Sequence, residues 1–206
     1  MHEKNVQYAG KKLDKAKKAI IMIHGRGGTS DNMLSLTDYL DLRGFAILAP
    51  QATRNTWYPY SFLVPQKQNQ PWLDSAIDLI GELVNDITLS GIPKEKIFIS
   101  GFSQGACLSL EFAARNPDRY GGIIAFTGGL IGDKISDDQY QGDFHQTPVF
   151  IGTSDPDPHI PVERAKRSEE ILRKLNANTT LNIYKNLGHV ISFEQLDTVN
   201  TLFFAK

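Results

Sequence analysis

A serine set between two glycines at fixed spacing is a candidate nucleophile, and the chain has one in Gly101-Phe102-Ser103-Gln104-Gly105. The G-x-S-x-G spacing suits a sharp strand-to-helix turn, where small residues leave room for the turn and for an approaching substrate. Composition alone yields the pattern about 0.08 times per chain of this kind, so its setting decides its meaning. The run Ile97-Phe98-Ile99-Ser100 leads directly into it, and an amphipathic helical pattern over residues 104–115 leads out. A helix starting there aims its positive end at charge developing on a reacting carbonyl. Cys107, on the same helix, reads as a small packed residue rather than a second nucleophile.

A serine hydroxyl needs a base, and the base needs a carboxylate to orient it. Among five histidines, His2 stands in a segment expected to fray, His145 in a polar loop, and His24 and His159 in other loops. His189, in Leu187-Gly188-His189, falls between the last strand pattern and the last helix pattern, which makes it the candidate base. The acid belongs to Thr153-Ser154-Asp155-Pro156-Asp157-Pro158-His159-Ile160-Pro161, where position alone leaves both Asp155 and Asp157 open. The other aspartate then serves the turn. The same run offers metal-ligand types, but two prolines stiffen it and no further ligand pair is evident, so no metal is expected. A second loop, His24-Gly25-Arg26-Gly27-Gly28, lacks both common phosphate-binding glycine patterns. In an ester hydrolase, the Arg26 main-chain N–H and that of Gln104 would together hold an oxyanion.

These residues need a scaffold, and the pattern supplies one. Short apolar runs at residues 19–23, 45–49, 96–100, 122–126, 148–152 and 180–185 read as strands. Helical patterns separate them at 31–43, with Ser30 as N-cap, at 73–87, 104–115 and 161–175, and a closing helix spans 191–204. Alternation of this kind predicts one α/β domain over residues 1–206, with a parallel sheet covered by helices. Between residues 51 and 70 lies a long connection rich in aromatics. Trp57, Tyr58, Tyr60, Phe62 and Leu63 there would either wall a pocket for an acyl or aryl group or pin the loop to the core.

Composition excludes several classes. Twenty-two Lys and Arg against 23 Asp and Glu give a formal net charge of −1, without the basic surplus of a nucleic-acid binder. A single cysteine rules out an intrachain disulfide and fits a reducing compartment. Residues 1–18 have no apolar signal-peptide core, and no apolar run is long enough to span a membrane, so a cytoplasmic protein is expected.

Taken together the motifs resemble the phospholipase/carboxylesterase family, which includes the acyl-protein thioesterases. Its H-G-x-G loop is similar to residues 24–27, its G-F-S-Q-G elbow is identical at 101–105, Gly91-Ile92-Pro93-Lys94-Glu95-Lys96-Ile97 resembles its approach to that strand, and Gly188-His189 its final G-H. The resemblance covers nearly the whole chain. It implies an α/β-hydrolase fold with a mostly parallel central sheet, helices on both faces and no separate lid domain. It also implies cofactor-free hydrolysis of small-molecule carboxylic esters, thioesters or lysophospholipids by a Ser103, Asp157 and His189 triad, often in homodimers, with Arg26 as the second oxyanion donor. Two departures stand out. The acid loop is two residues longer, so Asp155 keeps the family distance from Gly152 while Asp157 keeps that to Ile160-Pro161; the D-P-x-[VI]-P form favours Asp157. Arg26 replaces the usual Leu, setting a cation at the site that would favour anionic substrates. Rival readings are a non-catalytic binding module on the same scaffold, and a lactone hydrolase or peptidase.

Overall fold

Ile20 and Met22 pack to one side of a strand, Ala19, Ile21 and Ile23 to the other, and all five are fully buried. A strand apolar on both faces belongs inside a parallel sheet covered twice. In the computed structural model, which describes residues 1–205, this strand is β2 (Lys18–Ile23). Lys206, the last residue of the expected domain, lies outside the described residues. On either side of β2 run β3 (Phe45–Pro50) and β4 (Ile97–Phe102), both parallel to it. Next come β5 (Gly122–Phe126), β6 (Pro148–Asp155) and β7 (Asn178–Lys185), again parallel. At the other edge β1 (Val6–Gly10) pairs antiparallel with β3. Among the described residues the sheet has seven strands in the order β1-β3-β2-β4-β5-β6-β7.

Helices α2 (Trp72–Leu89), α3 (Gln104–Arg115) and α4 (Val162–Lys174) bury their apolar residues with Ala19, Ile21 and Ile23. On the opposite face α1 (Ser30–Leu34) and α5 (Phe193–Val199) contribute Met33, Leu196 and Val199 to the core around Ile20 and Met22. The stripe Leu73, Ala76, Ile77, Ile80, Leu83, Val84 and Ile87 on α2 is buried as its spacing predicts. No helix among the described residues is long and apolar enough to cross a membrane.

Parallel strands end on one edge of a sheet, and that edge is where α/β folds place their ligands. Here the loops leaving β2, β4, β6 and β7 carry Arg26, Ser103, Asp157 and His189 in turn. The long connection after β3 contains only two short 3-10 turns, Thr53–Asn55 and Gln66–Asn69, before α2.

Three elements differ from the sequence pattern. The helix expected over residues 31–43 stops at Leu34 and tightens into a 3-10 turn, Ser35–Asp38. The Ser35 and Thr37 hydroxyls donate to the Asn32 and Leu34 carbonyls there, competing with helix continuation. Its cap is Thr29 rather than Ser30, because Thr29 Oγ1 accepts the Asn32 N–H while the Asn32 amide oxygen accepts the Thr29 N–H. The closing helix begins at Phe193 behind a Ser192 cap and widens into a π turn over Asn200–Phe204. Strand β1 had no apolar signature, since an edge strand exposes most of its residues, Tyr8 among them.

Candidate active site

Ser103 sits between β4 and α3 with φ 54° and ψ −115°, a backbone conformation rarely held by a residue with a side chain. Its N–H donates to the Phe126 carbonyl at 3.0 Å, and its carbonyl accepts the Cys107 N–H at 2.9 Å, so sheet and helix both hold the turn. The flanking glycines are required by contact. A Cβ on Gly101 would lie 2.2 Å from the Gly105 carbonyl oxygen, and one on Gly105 would lie 2.1 Å from that of Ile23. Gly105→Ala is therefore expected to lift α3 off β2 at a cost of about 1–3 kcal/mol. A lower melting temperature with a reduced hydrolysis rate would register this; unchanged melting would contradict the close-approach account.

His189 lies in the turn between β7 and α5 and faces Ser103, its Nε2 2.8 Å from the serine Oγ. Its Nδ1 lies 2.9 Å from Asp157 Oδ2 and 3.1 Å from Oδ1. A carboxylate only accepts, so the neutral imidazole carries its proton on Nδ1 and leaves Nε2 to accept the serine hydroxyl. The Asp157 carboxylate is fully shielded from solvent, and its Oδ1 also accepts the His159 and Ile160 N–H groups, each at 2.8 Å. Asp155, by contrast, ends β6 with an exposed side chain, and its main-chain carbonyl accepts the Asn186 N–H. Of the two aspartates, the fold brings Asp157 to His189. Buried Ser154, which sequence reading passed over, accepts the Gly188 N–H on its hydroxyl and donates to the Pro156 carbonyl, joining the two loops. The rings of Phe102 and His159 flank His189 at centroid distances of 5.2 and 4.7 Å. Among the described residues no group of three His, Cys, Asp or Glu is placed to hold a metal ion.

Gln104 is the first residue of α3, so its N–H has no acceptor within the helix. Among the described residues the Arg26 N–H likewise donates to no other group. The side chains of both residues turn onto the connection after β3. Gln104 Oε1 accepts the Trp57 N–H and its Nε2 donates to the Tyr58 carbonyl, both at 2.9 Å. The Arg26 guanidinium donates to Thr56 Oγ1, the Pro59 carbonyl and the Tyr60 carbonyl.

An open cleft of about 610 Å³ runs past Ser103 and His189. Tyr58, Tyr60 and Phe62 line it from the connection after β3, and His159 and Ile160 from the loop after β6. Tyr58 and Phe62 thus stand where an apolar wall was expected. Trp57 does not line the cleft: it is fully buried, and its indole N–H donates to the His24 carbonyl at 2.8 Å. Its ring packs on that of His24, whose Nε2 accepts the Ala52 N–H and whose burial holds it below the ordinary imidazole range. His2, expected at a frayed end, is instead engaged through its ring nitrogens with Trp57 and Thr53. One further support escaped the sequence reading. Glu111, fully buried on α3, accepts hydrogen bonds from Gln66, Arg115, the Ile131 N–H and Tyr140, and so anchors two long loops.

Comparison with known proteins places the chain in a family. Residues 5–204 match the family model described as Phospholipase/Carboxylesterase. A phospholipase/carboxylesterase structure from Dyadobacter fermentans is 52% identical, superposes with a TM-score of 0.96, and is covered over 97% of its length by 98% of this chain. Acyl-protein thioesterase 1 of Saccharomyces cerevisiae is 27% identical over 207 residues, 90% of this chain and 91% of that protein. The match to acyl-protein thioesterase 1 of Gibberella zeae is 35% identical over 112 residues, 53% of this chain, and spans about half of that protein, 48%. The chain belongs to the phospholipase/carboxylesterase family and is a hydrolase with the α/β-hydrolase fold.

Proposed function

We propose that the chain acts as a single hydrolase domain that cleaves small-molecule carboxylic esters through an acyl-enzyme on Ser103. The observation that carries this reading is the unbroken relay from Ser103 Oγ to His189 Nε2 at 2.8 Å and from His189 Nδ1 to Asp157 at 2.9 Å. His189 takes the serine proton as Ser103 attacks the ester carbonyl, and Asp157 steadies the imidazolium that forms. The Arg26 and Gln104 N–H groups receive the negative charge of the tetrahedral oxygen. As this intermediate collapses, His189 returns its proton to the departing alcohol. Water, deprotonated by His189, then attacks the acyl-enzyme and releases the acid and free Ser103. The cycle uses no metal or cofactor.

Tyr58, Phe62 and Ile160 give the acyl or aryl portion an apolar place in the cleft, whose open form suits small substrates. The naming of relatives as acyl-protein thioesterases extends the proposal to thioesters. The test is a panel of p-nitrophenyl esters of graded chain length, acyl-CoA, lysophospholipid, a lactone and a peptide amide, read beside fluorophosphonate labelling. Turnover of the esters with labelling of the protein is the expected result. Neither labelling nor turnover would return the chain to a binding role, and preference for lactone or amide would change the bond but not the nucleophile.

A further inference from the structure

Both residues proposed as oxyanion donors use their side chains on the same short stretch of chain, Thr56 to Tyr60. The Thr56 hydroxyl stands where the two meet. It accepts from Arg26 Nη1 at 3.0 Å, and lies 3.2 Å from Gln104 Oε1 and 3.0 Å from the Tyr58 carbonyl, to either of which it can donate. Around it, Arg26 continues to the Pro59 and Tyr60 carbonyls at 2.9 and 2.6 Å, and Gln104 brackets the Trp57 N–H and the Tyr58 carbonyl. The main chain adds one more tie, from the Gly27 N–H to the Asn55 carbonyl at 2.7 Å.

We propose that Thr56 is a positioning residue whose hydroxyl links the Arg26 turn to the start of α3 and so fixes the spacing of the two oxyanion donors. This inference rests on the role given above to the Arg26 and Gln104 N–H groups. The sheet does not fix that spacing unaided. The last pair of the β2–β4 ladder is Ile23 with Gly101, and both Arg26 and Gln104 lie beyond it. Oxyanion donors act only within a few tenths of an ångström of their place, and a displacement near 1 Å in an active site costs up to about 100-fold in rate. A hydroxyl that accepts from the Arg26 side chain and stands within donating distance of the Gln104 side chain restores beyond the ladder the coupling that the strands provide within it. The Arg26 guanidinium accordingly serves the protein's own carbonyls. The cation that the sequence set at the site is a clamp on the cleft wall and not a reader of substrate charge.

Thr56→Val keeps the shape and β-branching of the side chain and removes only the hydroxyl. The expected result is a fall in kcat of roughly tenfold, with KM within about twofold, and recovery in Thr56→Ser, which restores the hydroxyl. Arg26→Leu should lower kcat equally for a neutral ester, p-nitrophenyl butyrate, and an anionic one, p-nitrophenyl hemisuccinate. Loss confined to the anionic ester would overturn the clamp and make Arg26 a specificity residue. Amide NMR supplies a readout independent of turnover. The Arg26 and Gln104 N–H resonances should shift in Thr56→Val and return in Thr56→Ser. Unmoved resonances overturn the proposal even in an active enzyme. Resonances that move in a protein with no esterase activity leave the link standing and sink the proposed function alone.

Discussion

Ser103→Ala is expected to abolish fluorophosphonate labelling and to lower ester turnover by about 10⁴-fold or more, since the members of a triad act as a unit. The loss should fall on chemistry and not on folding. Alanine keeps the Cβ that Ser103 already carries at φ 54°, so the strain of the turn is unchanged, and the main-chain bonds to Phe126 and Cys107 survive. The hydroxyl's recorded partner among the described residues is His189 Nε2, so stability should change by about 1 kcal/mol or less. A melting curve recorded beside the kinetics separates the two effects. Labelling that persists in the variant would place the nucleophile elsewhere.

Exchanging the two aspartates of the acid loop for asparagine, one at a time, gives the second large effect at Asp157 and a sharp contrast at Asp155. Asp157→Asn should lose about 10⁴ in kcat, because an amide facing Nδ1 can donate to it and leave the proton on Nε2, the atom that must accept from serine. The amide oxygen can still take the His159 and Ile160 N–H groups that Asp157 Oδ1 now accepts, so the loop keeps its form and the melting temperature moves little. Asp155→Asn should be mild, changing stability by about 1 kcal/mol or less. Its carboxylate is exposed, and its bond to Asn186 is made by the main chain. The opposite ranking would transfer the orienting role to Asp155, whatever the geometry of Asp157.

The contrast also marks what sequence could and could not carry. Short apolar runs disclosed β2 to β7, most of which are covered on both faces, and periodicity disclosed the α2 stripe because its burial repeats at the pitch of the helix. Ser103 was legible because its turn is local and its glycines are dictated by contact. The acid was legible only in part: two residues of extra loop leave two aspartates at family spacing, the D-P-x-[VI]-P form favours Asp157, and the closed loop is what brings that one to His189. Trp57 was open to either reading, a substrate wall or a pin on the core, and the Gln104 amide and the His24 carbonyl draw it inward. Ser154, Thr56 and Glu111 left no signal at all. Each has at least one decisive partner roughly twenty to fifty residues away, and a polar side chain held by distant partners has no signature in its own neighbourhood. Strand β1 failed for the opposite reason, an exposed edge with too little burial to leave an apolar pattern.

Cys107 bears on how the protein can be studied. It is the single cysteine of the chain, it is buried one turn of helix beyond Ser103, and desolvation pushes its thiol up to about 12. Thiol reagents attack the thiolate, so at neutral pH maleimides and iodoacetamides meet almost none of it. The natural sequence is thus already a silent background for site-directed spectroscopy. A cysteine introduced at exposed Tyr60, on the cleft wall, becomes the sole attachment point for a spin label or dye that reports on that wall, without removing any native thiol.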